Sequence, residues 1–182
     1  GNTAVAAFGI VNRILMLVLM PIAGISQGAQ PIIGYNYGAR QFARVIKTLK
    51  TALLVSVGGS FAGLILVEFF APQIVQLFND EAILIETGST GLRIYLCMLP
   101  VIGFQIIGAN YFQAIGKAYY SIVFNVLRQV IVLIPMVFIL SGYFGLVGIW
   151  IAGPVSDIAS ALLTGVCLFW DIRRDKKRFG IG

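Results

Sequence analysis

The sequence predicts an all-α membrane protein with about five transmembrane helices, and both composition and pattern indicate this fold class. Hydrophobic residues make up 59% of the 182 residues and charged residues 11%, whereas a soluble domain carries roughly 25% charged residues. The mean hydropathy is +0.94, and the apolar residues fall into five long runs separated by short polar gaps. A soluble domain of this length has too little interior for so many apolar side chains, so we expect a bilayer to surround them.

Each apolar run is close to the roughly 20 residues that cross a bilayer as a helix. The first run contains only Arg13 as a charge, and the second is uncharged until Glu68. The third has no charge over 94–116, the fourth contains only Arg128, and the fifth contains only Asp157. Membrane strands are excluded because the runs are too long and do not alternate. Within a single membrane domain over 1–182, the predicted helices are 4–34, 48–70, 88–116, 118–140 and 146–170.

The charges in the gaps predict the topology. The gap between helices two and three is acidic until Arg93, and the gap between helices four and five is uncharged. Basic residues occupy the other gaps and the C-terminal tail, including Arg40, Arg44, Lys47, Lys50 and Lys117. Cytoplasmic loops carry the excess of Lys and Arg, so we expect a multi-pass plasma membrane protein with its N-terminus outside and its C-terminus in the cytoplasm. Basic residues confined to short gaps argue against nucleic-acid binding.

The sequence offers little support for an enzyme. It contains no His, which excludes an HExxH zinc site, a Ser-His-Asp arrangement and Cys/His metal clusters, and it has no Walker lysine loop. We therefore expect no catalytic activity, no metal and no cofactor. The chain opens directly on an apolar run without the charged region of a signal peptide. An odd number of helices that begins outside suggests a piece of a longer protein.

Polar and soft side chains recur on one face of the first helix and one face of the third. They could line a substrate cavity that holds varied ligands, or they could form seams between helices, where amide and small residues are common. Both interpretations stay open from the sequence. The candidate cavity residues are Asn12, Met16, Gln27 and Gln30 on the first helix, and Tyr95, Met98 and Gln105 on the third.

Two charges lie deep in neighbouring helices. Arg128 is about ten residues into helix four and Asp157 about eleven residues into helix five, so at roughly 1.5 Å per residue both reach the middle of the membrane. The two helices are antiparallel and joined by a tight turn at 141–145, so we expect an Arg128–Asp157 ion pair or a shared hydrogen-bond network, with Asn125 and Gln129 nearby. The pair is either a structural clamp or a coupling site in which protonation of Asp157 releases Arg128.

The segment 27–39, QGAQPIIGYNYGA, resembles the signature of the multidrug and toxic compound extrusion (MATE) family. Two further similarities follow in the family's order, at 112–117 and at Asn125-x-x-Arg128 with Pro135 and 145–150. Glycines permit a tight helix exit, and the asparagine can cap exposed backbone groups. The core pattern P-x-x-G-x-N-x-G-A is formed by Pro31, Gly34, Asn36 and Gly38.

The resemblance implies twelve helices in two six-helix lobes around a central cavity, with this chain as helices eight to twelve. It implies a secondary active transporter that exports cationic or aromatic compounds in exchange for protons or sodium by alternating access. Its partners would be membrane lipids, drug-like substrates and the N-terminal lobe of the same chain. Some members carry a carboxylate on the helix that corresponds to the third one here, and 94–116 has none. Coupling would then depend on the other lobe or on Asp157.

Two other functions remain alternatives. A lipid-linked oligosaccharide flippase shares the lobed architecture but would need a basic cavity for pyrophosphate, which a single mid-membrane Arg beside an Asp does not favour. A non-transporting membrane scaffold or channel subunit would have helix faces sealed by packing, without a hydrated pocket between helices one and three.

Overall fold

The structure, a computed structural model, describes residues 2–179 as a bundle of helices. No strand occurs in this part of the chain. Between α5 and α6 the helix continues through a π-helical segment, Leu127–Val132. The α-helices are α1 (Asn2–Gly38), α2 (Phe42–Gln76), α3 (Ala82–Leu96), α4 (Leu99–Ala114), α5 (Ala118–Val126), α6 (Leu133–Phe144) and α7 (Leu146–Phe179).

The predicted fold class is confirmed. Four helical stretches are long and apolar enough to cross a membrane: α1, α2, the continuous run Ala118–Phe144, and α7. Taken together, α3 and α4 are also long and apolar enough, and they meet at a bend of 48°; counted as one broken span, this pair brings the number of spans to five. The chain is therefore a multi-pass membrane protein.

The third predicted helix differs from the structure because it is two helices rather than one. The sequence indicates 88–116 as a single span, but the chain bends between Leu96 and Leu99. Pro100 is the second residue of α4, a position where its missing N–H costs nothing because the first amides of a helix have no partner inside it. The proline therefore fixes the start of a new helix instead of kinking an existing one.

The second helix is longer than predicted at both ends. It begins at Phe42 rather than 48, and it continues past 70 to Gln76. Phe70 departs from helical geometry, with φ −115° and ψ 15°, two residues before Pro72. The proline ring disfavours a straight helix across this point, so α2 bends where the sequence predicts a helix end.

Two ends of the bundle can be defined by charge. The basic end contains the α1–α2 connection, the α4–α5 connection and the C-terminal part of α7; the acidic end contains the α2–α3 connection and the turn at Gly145. α4 is central, since it packs against α1, α2, α5 and α7. One apolar cluster near the basic end includes Phe42, Tyr111 and Phe112, and a second near the acidic end includes Leu92 and Trp150.

Glycines allow the close helix approaches of the acidic end. Gly145 turns the chain between α6 and α7 with φ +58°, a backbone conformation that other residues rarely adopt. At Gly148 a Cβ would lie 2.0 Å from the carbonyl oxygen of Leu140, and at Gly91 it would lie 2.6 Å from the Trp150 ring. Small residues at such contacts let membrane helices pack without gaps.

We expect Gly148→Ala to destabilise the α6–α7 hairpin, because the new methyl group meets backbone that cannot move aside. The cost should be about 2 kcal/mol, which corresponds to a decrease of roughly 5 °C in the melting temperature. Thermal unfolding of the purified protein in detergent, followed by circular dichroism, measures it. Gly142→Ala is the matched control, since nothing lies within 4 Å of its added Cβ. Equal melting temperatures for the two variants would contradict the packing described.

Candidate functional site

The candidate site is centred on a charged pair inside the membrane. Arg128 Nε donates a hydrogen bond to Asp157 Oδ1 at 2.6 Å. The side chains are 22% and 4% exposed, respectively, so water screens the attraction only weakly. The sequence places both charges at the same depth, and the structure brings them into contact. Which role the contact has, clamp or coupling site, stays a prediction.

Local backbone geometry presents Arg128 to its partner. The residue lies in the π-helical segment Leu127–Val132, where each backbone hydrogen bond spans five residues and the helical turn is wider than in an α-helix. Pro135 follows shortly, and it lacks the N–H that would bond the carbonyl oxygen of Ile131 in an α-helix. The ladder is therefore weakened in the segment that carries Arg128, and the wider turn changes the direction of its side chain.

Aromatic rings cover the pair on the side of the acidic end. The Tyr95 ring packs directly on Gly153, one turn before Asp157 on α7, where an added Cβ would lie 2.5 Å from the ring. Phe8 and Trp150 complete this aromatic cluster, with centroids 5.6 to 6.3 Å apart. The rings exclude water from this side of the carboxylate, which strengthens its interaction with Arg128.

The polar face of α7 continues toward the basic end. Gln105 Nε2 donates to Ser160 Oγ at 2.7 Å, and Ser160 Oγ donates to the carbonyl oxygen of Phe124 at 3.2 Å. Thr164 Oγ1 donates to the carbonyl oxygen of Ser160 one turn earlier. Hydrogen bonds from α4 and α5 therefore converge on α7 within the apolar interior.

A second charged cluster, which was not predicted from the sequence, lies at the basic end. Asp171 accepts hydrogen bonds from Lys117, from Tyr111 Oη at 3.4 Å and from Arg174. Asp175 accepts one from Tyr37 Oη at 3.1 Å. These contacts join α7 to α1, α4 and the α4–α5 connection. The spacing of Asp171 and Asp175, one helical turn apart on the face of Asp157, is the pattern that indicates them.

The predicted cavity residues differ in how far they are exposed. On α1, Met16 is 66% exposed, Gln27 is also exposed, and Asn12 and Gln30 are half-buried. On α3 and beside the bend, Tyr95 and Met98 are half-buried. Gln105 is 1% exposed and its amide is bonded to Ser160, which favours the helix-seam interpretation for this residue. An amide in hydrocarbon is stabilised by a partner on a neighbouring helix, and Ser160 provides that partner.

The signature residues lie in the last two turns of α1. Asn36 is buried, and its Nδ2 donates to the carbonyl oxygen of Ile32 at 2.8 Å. The backbone carbonyl oxygen of Asn36 accepts a hydrogen bond from the backbone N–H of Gln41 at 2.8 Å, which closes the turn into α2. Gly34 packs against the carbonyl oxygen of Ala114. The remaining signature residues, Pro31 and Gly38, are exposed.

No three His, Cys, Asp or Glu side chains of the described residues converge as a metal site would require. The two Cys residues, Cys97 and Cys167, are free thiols and half-buried.

A bundle of helices long and apolar enough to cross a membrane, with charge pairs in its interior, defines a multi-pass integral membrane protein. The family model MatE matches residues 1–139, and the chain belongs to that family.

Relatives and solved structures agree with this assignment. The multidrug export protein MepA of Staphylococcus saprophyticus is 27% identical over 167 residues, which are 90% of this chain and 37% of that protein. MepA of Staphylococcus haemolyticus is 30% identical over 164 residues, 90% of this chain and 36% of that protein. The chain thus spans little more than a third of the length of these relatives.

The fold matches that of MATE transporters of known structure. A crystal structure of MATE in the bent conformation gives a TM-score of 0.92 at 24% identity, covering 99% of this chain and 40% of the other. The outward-facing conformation of a multidrug resistance MATE family transporter gives 0.91 at 25% identity, covering 97% and 40%. The five spans therefore have the arrangement found in part of these larger proteins.

We expect Asp157→Asn to lower the stability of the protein by about 3 kcal/mol, because the guanidinium of Arg128 loses its counter-charge in a poorly screened place. The double variant Arg128→Gln/Asp157→Asn should recover more than half of that loss. Thermal unfolding in detergent measures both.

The matched control is Glu68→Gln. The native Glu68 side chain is 47% exposed, and its carboxylate lies 3.9 Å from Arg93 Nε. An exposed pair of this kind contributes about 1 kcal/mol or less. The clamp would be refuted if Asp157→Asn were as stable as Glu68→Gln. It would also be refuted if the loss of stability in the double variant equalled the summed losses of Arg128→Gln and Asp157→Asn measured separately.

Proposed function

We propose that this chain forms most of the C-terminal lobe of a secondary active multidrug exporter, which carries cationic or aromatic compounds out of the cell in exchange for protons or sodium. The complete transporter has a second lobe, and the cavity lies between the two. The basic end faces the cytoplasm in this proposal. The observation that carries it is an open stripe on α1, in which Arg13, Gln27 and Tyr35 lie among Met, Gly and Pro residues, in a chain of the MatE family.

The stripe runs along almost the whole of α1. Its exposed residues recur at every third or fourth position, while the opposite face is buried against α2, α3 and α4. Gln27 lies about 16 Å from the end of α1 at Gly38, near the middle of the membrane. A primary amide that faced hydrocarbon at this depth would be costly. The stripe includes Gly9, Arg13, Met16, Met20, Gln27 and Tyr35.

The chemistry of the stripe suits substrates of varied shape. Met16 and Met20 are 66% and 65% exposed, and Tyr35 is 77% exposed. Thioethers adapt to irregular apolar surfaces, and an aromatic face attracts organic cations. The contact between α1 and α4 is closed around Ser26 and Asn110, with no water-sized space, as a scaffold or channel subunit also predicts. The exposed stripe on the outer side of α1 therefore supports export only if it lines a cavity shared with the other lobe. Multidrug export is the function that the MepA relatives are named for.

The charged pair fits a clamp better than a coupling site in this proposal. Asp157 is 3% exposed and is bonded to Arg128, so a cation from the cavity would have to displace the guanidinium. α3 and α4 contain no carboxylate on the segment 94–116. We therefore assign the coupling group to the other lobe and assign Arg128 and Asp157 to holding the π-helical segment against α7.

Cysteine labelling tests whether the stripe faces a hydrated cavity. In a Cys97→Ala/Cys167→Ala background, Met16→Cys and Gln27→Cys should react with a charged maleimide about tenfold faster than Leu54→Cys, because only the thiolate reacts and hydrocarbon suppresses its formation. Leu54 is 75% exposed on the apolar surface of α2 and is the matched control. Excess substrate, such as ethidium, should slow the reaction at Met16→Cys.

Equal labelling of Met16→Cys and Leu54→Cys would mean that both face lipid, and the cavity on α1 would have to be abandoned. Labelling that ethidium leaves unchanged would separate a hydrated groove from a substrate path and would count against export.

Gradient-driven uptake tests the transport proposal. The complete transporter that contains this chain, reconstituted in vesicles, should move ethidium when a proton or a sodium gradient is imposed, and it should not do so without one. Vesicles that contain the Asp157→Asn variant should retain most of the uptake per folded molecule, because in this proposal the Arg128–Asp157 pair contributes to stability rather than to coupling.

Absence of ethidium movement under both gradients would argue against an exporter. Loss of uptake in a stably folded Asp157→Asn protein would instead make this carboxylate the coupling group. The two results are distinguishable, because uptake by the native protein tests export, and uptake by the variant tests whether Asp157 is the coupling group.

A further inference from the structure

A cavity of about 970 Å³ lies at the basic end between α5 and the last turns of α7. α5 packs mainly against α4 and only slightly against α7, whereas α6 packs closely along α7. The π-helical segment connects α5 to α6, so α6 stays close to α7 on one side of this segment and α5 diverges from α7 on the other. The gap between them is open on the surface of the bundle.

The inner part of this cavity is apolar and aromatic. Phe112 is buried at its base and stacks on Tyr120, with ring centroids 5.1 Å apart. Phe169 and Trp170 form the opposite wall, on α7. Trp170 is 73% exposed. Exposed Trp and Tyr side chains are typical of the boundary between hydrocarbon and water, so the cavity opens at the depth of the lipid headgroups.

The rim of the cavity is strongly basic. Four cations line it, namely Arg173, Arg174, Lys176 and Lys177. The single carboxylate among the lining residues, Asp171, already accepts hydrogen bonds from Lys117 and Arg174. Arg173 lies over the Phe169 ring at 4.1 Å from its centroid, which holds its guanidinium at the edge of the apolar part. An uncompensated positive charge thus borders an apolar cleft.

We propose that this cavity binds an anionic phospholipid, with an acyl chain against Phe112 and Trp170 and the phosphate between the basic side chains. An amphiphile of this kind matches both halves of the cavity, and basic pockets between membrane helices bind anionic headgroups. A cationic drug would be repelled by the rim. The site is separate from the stripe on α1, and it requires only that the chain spans a membrane, not that it transports.

Fluorescence quenching by brominated lipids tests the site. The chain contains two Trp residues, and Trp150 is 1% exposed, so a quencher in the bilayer reaches Trp170 alone. Any Trp outside residues 1–182 is replaced by Phe. In phosphatidylcholine vesicles, brominated phosphatidylglycerol should quench Trp170 about fivefold more than brominated phosphatidylcholine at the same mole fraction.

The triple variant Arg173→Gln/Lys176→Gln/Lys177→Gln should lose this preference. The matched control, Arg40→Gln/Arg44→Gln/Lys47→Gln, removes the same charge at the same end but away from the cavity, and it should keep the preference. Circular dichroism checks that both variants are folded.

Three results would overturn the proposal. Equal quenching by both lipids in the native protein would mean that the cavity does not select an anionic lipid. Loss of the preference in both triple variants would mean that general surface charge is responsible. Relief of quenching by glycerol phosphate without acyl chains would identify a site for a soluble anion instead. Each result is independent of the transport assay, because no gradient or drug is present.

Discussion

Hydrocarbon offers no hydrogen-bond partners, and this constraint determines the structure of the bundle. Polar side chains inside it must be satisfied by other parts of the protein, and most of those partners meet on α7. Its buried polar residues face different helices and together form a continuous ribbon from the middle of the membrane to the basic end. The ribbon consists of Asp157, Ser160, Thr164, Asp171 and Asp175. α7 is therefore the element to which α4, α5 and the π-helical segment are joined by polar contacts.

Two irregular parts of the other helices lie opposite this ribbon. Arg128 reaches Asp157 from a π-helical segment, and the bend between α3 and α4 separates Tyr95, which packs near Asp157, from Gln105, which bonds Ser160. A straight α-helix presents side chains at fixed intervals. Where the interval does not match the ribbon, the backbone departs from α-helical geometry. The π-helical segment turns its Arg128 side toward α7, while its other side lies on the surface of the bundle, where Val130 and Ile131 are 51% and 60% exposed.

The sequence was sufficient for features that depend on composition and on depth in the membrane. The apolar runs define the spans, and counting residues from the helix ends places Arg128 level with Asp157. Gln105 could not be placed in this way, because an amide in an apolar run looks the same whether it faces a cavity or a serine 55 residues away. Asp171 and Asp175 were hidden for another reason: among the basic residues of the tail they resemble solvated charges. Their helical spacing from Asp157 was visible, but their burial was not.

α1 and α7 have opposite arrangements, and this difference bears on transport. α7 turns its polar face inward, whereas α1 leaves its polar stripe open. The prolines of α1, Pro21 and Pro31, are both exposed, so the carbonyl groups left without an amide partner are accessible on that side. Between the acidic end and Ile22, α1 packs through an apolar cluster, and apolar contacts rearrange at lower cost than charged ones. α1 is therefore held by polar contacts mainly in its half toward the basic end, at Ser26 and Tyr37, and by apolar contacts alone among the described residues of the other half.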